Sequence, residues 1–164
     1  MRIAVLTVSD TRSLADDSSG AYLAQAVVDA GHTLHERQIV PDDRYLLRAV
    51  VSQWIADPGC HVVLCTGGTG FTGRDSTPEA LGPLLDKDMP GFGELFRALS
   101  YRDIGTSALQ SRALAGIANG TIVVALPGST GACRLAWTEI LKAQLDPSTR
   151  PCNLAELRAR FFER

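Results

Sequence analysis

Residues His61 to Asp75 read HVVLCTGGTGFTGRD. The apolar run His61 to Cys65 empties directly into Thr66-Gly67-Gly68-Thr69-Gly70, and Asp75 lies five residues past the last glycine. A short apolar strand feeding a glycine turn and then a helix signal is a βα junction of an α/β protein. Glycine has no Cβ and tolerates positive φ, so such a turn brings backbone N–H groups close to an anion. The nearby carboxylate adds a metal-binding group. The plainer alternative is a tight connection that holds no ligand.

Two familiar glycine motifs are excluded by context. Gly68, Gly70 and Gly73 satisfy G-x-G-x-x-G, but the dinucleotide fingerprint opens its helix within the motif and places an acid after the next strand. Here the helix signals come later: Ser76 and Thr77 as candidate caps, Pro78 for the first helical position and Glu79 in the first turn. Asp86 and Asp88 then follow with no strand expected between. Gly68 and Gly73 also have Walker A spacing, yet Arg74 and Asp75 stand where that loop needs Lys and Ser/Thr.

Outward from this loop, strands and helices alternate. Ile3 to Val8 reads as a central strand buried on both faces. Asp10 to Gly20 is a polar loop whose serines can cap a helix carrying Tyr22, Leu23, Ala26, Val27 and Ala30, ended by Gly31. Leu34 to Val40 is a strand nearer an edge. Pro41-Asp42-Asp43 turns the chain into a helix from Arg44 to Ala56, with Leu46, Leu47, Val50 and Ile55 on one face. Met89 to Gly93 is rich in breakers and precedes a helical pattern over Glu94 to Ser100. Asn119-Gly120 between Ala113 to Ala118 and Thr121 to Leu126 predicts a two-residue hairpin, hence at least one antiparallel strand. Pro127-Gly128-Ser129 opens a helix containing Cys133, Leu135, Ala136, Ile140 and Leu141, and an arm, Asp146 to Asn153, leads to a last Leu- and Arg-rich helix. The pattern predicts a three-layer α/β/α sandwich around a doubly wound, mostly parallel sheet. In such sheets ligands bind outside the carboxyl ends of the strands. That rule gathers Ser9 and Asp10, Asp42 and Asp43, Thr66 to Gly70 with Asp75, and Pro127 to Ser129 at one edge as a phosphate and Mg²⁺ site.

Composition narrows the partners. The 164 residues suit one domain with its own core. A formal net charge of −2 offers no global field for nucleic acid or an anionic membrane, so any phosphate site must be local. The first apolar stretch is too short for a secretory signal, and no segment approaches a membrane span. Cys60, Cys65, Cys133 and Cys152 lack zinc-ligand spacing and read as reduced thiols of a cytoplasmic protein. His32, His35 and His61 are isolated and carry no ligand pattern.

TGGTGFTGRDSTPEAL at Thr66 to Leu81, MPGFGELFR at Met89 to Arg97, Ser111-Arg112 and LPGS at Leu126 to Ser129 resemble the molybdenum-cofactor biosynthesis MoaB/MogA family over essentially the whole chain. TVSD, TSALQSRALAG and TRPCN look like its MoaB branch. The resemblance implies a molybdopterin-binding domain that adenylylates this pterin phosphate with MgATP, giving adenylyl-molybdopterin and pyrophosphate. It also implies a cytoplasmic homotrimer or homohexamer that works beside other cofactor-biosynthesis proteins. By the same resemblance Gly67, Gly68 and Gly70, with Thr66 and Thr69, would cradle phosphate, and Asp75 and Asp42 would be the catalytic and Mg²⁺-binding acids. Ser111, Arg112, Pro127, Gly128 and Ser129 would line the nucleotide and pterin pockets; from their own positions Ser9 joins them at a strand end, and Arg74 is read either as a phosphate clamp or as surface cover. Asp43 replaces the Glu of the family's Pro-Asp-Glu turn and is one methylene shorter, while the Arg74-Asp75 pair that favours activity is kept.

Adenylyl transfer needs mainly positioning and charge neutralisation, and an anionic phosphate needs no strong general base. A non-catalytic pterin carrier could use the same loops, and a different nucleotide-dependent transferase on this sheet is a third reading. Trp137, Ile140 and Leu141 and the Leu-rich C-terminal arm, with Met89 to Phe96, are expected to form an apolar subunit interface.

Overall fold

The computed structural model describes residues 1–163. Six strands, β1 Arg2–Val8, β2 Thr33–Val40, β3 Val62–Thr66, β4 Lys87–Asp88, β5 Leu114–Ala118 and β6 Thr121–Leu126, form one sheet in the order β2-β1-β3-β6-β5-β4. β2, β1, β3 and β6 are parallel; β5 runs antiparallel to β6, and β4 antiparallel to β5. Asn119 and Gly120 join β5 to β6 at φ 46° and 77°, the paired positive angles of a type I′ turn.

Along each central strand successive side chains enter different cores. Ile3, Val5, Val62, Leu64, Ile122 and Val124 pack on one face with α1 (Ser18–Asp29), α4 (Pro90–Ile104) and α5 (Thr130–Ala136). Ala4, Leu6, Val63, Cys65, Val123 and Ala125 pack on the other with α2 (Arg44–Ala56) and α3 (Thr77–Leu81). Two apolar faces explain why these strands read as unbroken hydrophobic runs. α5 continues through a π-helical turn, Trp137–Leu141, into α6 (Lys142–Gln144), and α7 (Leu154–Leu157) follows the arm. None of the described helices is long and apolar enough to cross a membrane.

The winding direction fixes where a ligand can go. The chain steps from β1 to β2 on one side, then returns through α2 to β3 on the other side of β1. Right-handed crossovers that change direction place α1 and α2 on opposite faces and leave a crevice at the carboxyl ends of β1 and β3.

Several local expectations are corrected. Asp17, not a serine, caps α1, its carboxylate accepting from Gly20 N. Leu46 is 48% exposed, and α2 instead buries Leu47, Val51 and Trp54. The two-residue β4 does lie between α3 and the next helix, and α4 absorbs Pro90 and Gly91 into its first turn. Trp137, Ile140 and Leu141 are buried within the chain at 4%, 6% and 1% exposure, so they supply no surface for an interface. Trp54 is core as well, with its indole N–H donating to Glu36 Oε2 at 2.8 Å.

Candidate functional site

Thr7, Thr66 and Leu126 lie side by side at the ends of three adjacent parallel strands. The loops after β1, β3 and β6 therefore leave the sheet together. Gly67 N donates to Leu126 O at 3.0 Å, and Thr66 Oγ1 donates to Pro127 O at 3.0 Å, tying the second loop to the third. Gly67 has φ 107°, and a Cβ there would stand 2.3 Å from Val8 O, so the first loop presses on it from the other side. Gly68, at φ 63°, would place a Cβ 2.4 Å from Thr77 Oγ1 and 2.5 Å from Asp42 Oδ2. No side chain but hydrogen fits at either position.

These loops open on a cavity of about 640 Å³. Ser9, Gly67, Gly68, Thr69, Gly70, Asp75, Ser111, Pro127, Gly128 and Ser129 all line it, so residues far apart in the chain meet as the strand-end rule requires. Among the described residues the amides of Gly68 and Thr69 have no acceptor, which leaves donors for an anion. Asp75 Oδ2 accepts from Thr72 N at 2.9 Å and Thr72 Oγ1 at 2.6 Å. The Thr72 hydroxyl holds its carboxyl below the usual range, against a smaller opposing effect of burial, so Asp75 is a carboxylate at neutral pH.

Six expected site residues, Asp10, Asp42, Asp43, Thr66, Arg74 and Arg112, sit elsewhere. Asp42 lies outside the cavity lining: its Oδ1 accepts from Ser76 N at 3.1 Å and Ser76 Oγ at 2.6 Å, and Oδ2 faces Gly68. Ser76, expected as a helix cap, is spent on this contact. Arg112 faces the loop's outer side, where Nε donates to Gly70 O at 2.8 Å, Nη2 donates to Asp75 O at 3.1 Å and Nη1 pairs with Glu79. It braces the loop. Thr66 is fully buried, and Arg74 points to solvent and pairs with Asp10. Asp43 caps α2, with Oδ1 accepting from Tyr45 N and Leu46 N, so it is occupied structurally.

A metal would have few protein donors here. Among the described residues no three His, Cys, Asp or Glu side chains gather at metal-binding spacing. Asp75 on the cavity side would suit Mg²⁺ of the kind held by a single carboxylate and completed by substrate phosphate and water, whereas Asp42, expected beside it, stands behind Gly68 and is bonded to Ser76. Cys133, which shares a hydrogen bond with Thr66, is no nucleophile: burial pushes its thiol up to about 11.

The sequence reading missed the far wall of the cavity, formed by Phe96, Ser100 and Ile104 of α4 and by Ser107 and Gln110 beyond it. Glu94 to Ser100 reads in the sequence only as a helical pattern, with Phe96 in an expected interface, and nothing local marks a wall. It also missed Arg12 and the buried Asp17. Asp17 accepts from Thr7 Oγ1 at 2.8 Å, Gly20 N at 2.9 Å and Arg37 Nη2 at 2.9 Å. Burial alone would raise its carboxyl; the bonds from Arg37, Gly20 and Thr7 outweigh burial and hold it below the usual range. A depressed folded value means stabilisation that is fully present above the ordinary carboxylate value of 3.8 and fades as pH falls through the folded one. Asp17→Asn leaves Arg37 without its charge partner, and we expect a loss of about 3 kcal/mol at pH 7 that shrinks toward acid. Urea midpoints measured across pH would refute this if the wild-type and variant curves stayed parallel.

Comparison with known proteins agrees with this geometry. A profile of the family described as "Probable molybdopterin binding domain" matches residues 4–147. Molybdenum cofactor biosynthesis protein B of Escherichia coli (strain K12) is 57% identical over 152 residues, covering 93% of this chain and 89% of the relative. Its namesake in Bacillus subtilis (strain 168) is 43% identical over 146 residues, covering 88% and 86%. A crystal structure of a molybdenum cofactor biosynthesis protein B superposes with a TM-score of 0.85 at 43% identity, over 88% of this chain and 90% of the other. The tungsten cofactor synthesizing protein MoaB of Pyrococcus furiosus gives 0.79 at 37%, over 88% and 91%. A fold wound to the same switch point, a matching profile and these relatives establish that the chain belongs to the MoaB/MogA family of molybdenum cofactor biosynthesis proteins, in its MoaB branch.

Proposed function

We propose that this protein binds molybdopterin and adenylylates it with MgATP, releasing pyrophosphate. The observation that carries the reading is the convergence of the glycine loop, the ionised Asp75 and the Gly128-Ser129 turn on one cavity of a size suited to small organic ligands. A phosphate oxygen of the pterin attacks the α-phosphorus of ATP, the bond to the bridging oxygen of the β-phosphate breaks, and pyrophosphate leaves. The attacking phosphate is already anionic, which agrees with a cavity lined by no histidine among the described residues. The amides of Gly68 and Thr69 serve as donors to phosphate oxygens, and Arg112 keeps the loop in the shape that presents them. Asp75 is the carboxylate that would hold Mg²⁺ at the cavity, and the ion would supply neutralisation of charge on the phosphates, while Asp42, behind Gly68 and bonded to Ser76, would support the loop from outside.

Incubating the purified protein with molybdopterin, ATP and Mg²⁺ tests the proposal, with adenylyl-molybdopterin and pyrophosphate formed in equal amounts as the expected result. Tight pterin binding without product would assign it to carriage of the cofactor precursor instead. We also propose assembly as a homotrimer or homohexamer in the cytoplasm. Support for assembly rests on the family and on Leu95, Tyr101 and Ile104 of α4, each about half exposed; light scattering reads it out.

A further inference from the structure

Among the described residues that line the cavity, Arg12 is the one cation and Asp75 the one carboxylate. The loop after β1 is folded so that this is so. Ser9 Oγ accepts from both Thr11 N at 3.3 Å and Arg12 N at 3.1 Å, a hydroxyl turn that curls the chain back over the strand end. The Arg12 guanidinium is then anchored through a single nitrogen. Nη1 donates to Ser19 Oγ at 3.0 Å and to Gly128 O at 3.3 Å, and lies 3.9 Å from the buried Oδ1 of Asp17. Among the described residues Nε and Nη2 have no acceptor.

The neighbouring arginines are spent differently. Arg112 is bonded to loop carbonyls and Glu79, Arg97 to the carbonyls of Ser111 and Ala113, Arg37 to Asp17, and Arg74 to Asp10. Among the described residues only Arg12 combines a fixed base with unspent donors at the cavity. Its contact to Gly128 places it beside the glycine loop as well, since a Cβ on Gly128 would stand 3.3 Å from Gly67 Cα.

We propose that Arg12 is the phosphate clamp of this site. Its Nε and Nη2 grip the phosphate ester that rests on Gly67 to Gly70, and Asp17, held by Thr7 and Arg37, positions the guanidinium from behind. The inference deepens the reading of the cavity as a phosphate-ester site and rests on it. Asp17 is a positioning residue, because it touches only Arg12 and the protein.

The test compares wild type, Arg12→Gln and Arg12→Lys, matched for thermal midpoint, against three probes: molybdopterin, the same pterin stripped of its phosphate, and inorganic pyrophosphate. Arg12→Gln should weaken molybdopterin and pyrophosphate by about tenfold to a hundredfold. Binding of the dephosphorylated pterin should not change, and Arg12→Lys should recover part of the loss as a point charge without the fork. Equal loss for both pterins would make Arg12 a shaper of the cavity and overturn the clamp. So would unchanged affinity for molybdopterin and pyrophosphate, while leaving the pterin assignment intact. Arg12-dependent pyrophosphate binding in a protein that takes no molybdopterin would uphold the clamp and refute the pterin. Binding of neither probe by wild type would refute both.

Discussion

Asp75→Asn folds, binds molybdopterin and loses MgATP-dependent adenylyl transfer by about a hundredfold to a thousandfold. The magnitude is that of removing one preorganised electrostatic group from a charge-stabilising site. The amide keeps the shape of the carboxylate and one oxygen to accept from Thr72, so the loop from Gly70 to Asp75 persists. What disappears is the negative charge that lines the cavity. Because the Thr72 hydroxyl and amide hold the wild-type carboxyl below its ordinary value of 3.8, turnover should show no acid limb from Asp75 until pH falls below that value. The measurement is initial rate of pyrophosphate release, with pterin binding in parallel. Wild-type turnover by a folded variant would remove Asp75 from the chemistry.

Gly67→Ala acts on the fold first and on binding through it. At φ 107° an alanine is strained, and its Cβ would meet Val8 O, a backbone atom of the central strand β1, at 2.3 Å. A backbone neighbour cannot turn aside as a flexible side chain can. We expect a cost of about 2–4 kcal/mol, from backbone strain and overpacking together, and a thermal midpoint lowered by about 5–15 °C. The same single methyl at Gly131, in α5 with nothing within 4 Å of it, should be neutral or slightly stabilising. Equal midpoints for the two variants would show that the crowding at Gly67 is not real. Gly68→Val, by the same reasoning, would crowd Thr77 and Asp42 before it excluded a ligand.

Much of this architecture is written locally. The helix at about Arg44 to Ala56 was legible, because Asp43 before it caps and the apolar spacing after it is helical. Asn119-Gly120 forced its turn, since few other pairs accept two positive φ angles. The face buried by α2 was legible only in part. Leu46 and Val51 are equally apolar, and their fates depend on the angle at which the helix meets the sheet. Trp137 looked like surplus surface because the core cluster it belongs to, which includes Leu23, Phe92 and Ile122, is drawn from distant segments of the chain.

The candidate site divides along the same line. The glycine loop, its carboxylate and the Pro-Gly turn were visible as residue types in short strings, since backbone conformation and close approach are properties of a few consecutive residues. Which of them share a cavity was decided by the order β2-β1-β3-β6, which sets Thr7, Thr66 and Leu126 abreast. That order also turned Arg112 to the outer side of the loop, set Asp42 behind Gly68, and brought Arg12 across 116 positions to Gly128. By itself the sequence determined the elements and the chemical groups available, because helix spacing, caps and glycine turns act over a few residues. Only the tertiary structure decided which groups face the ligand and which brace the loop, because strand order and the direction of winding are set by contacts among segments that no local pattern connects.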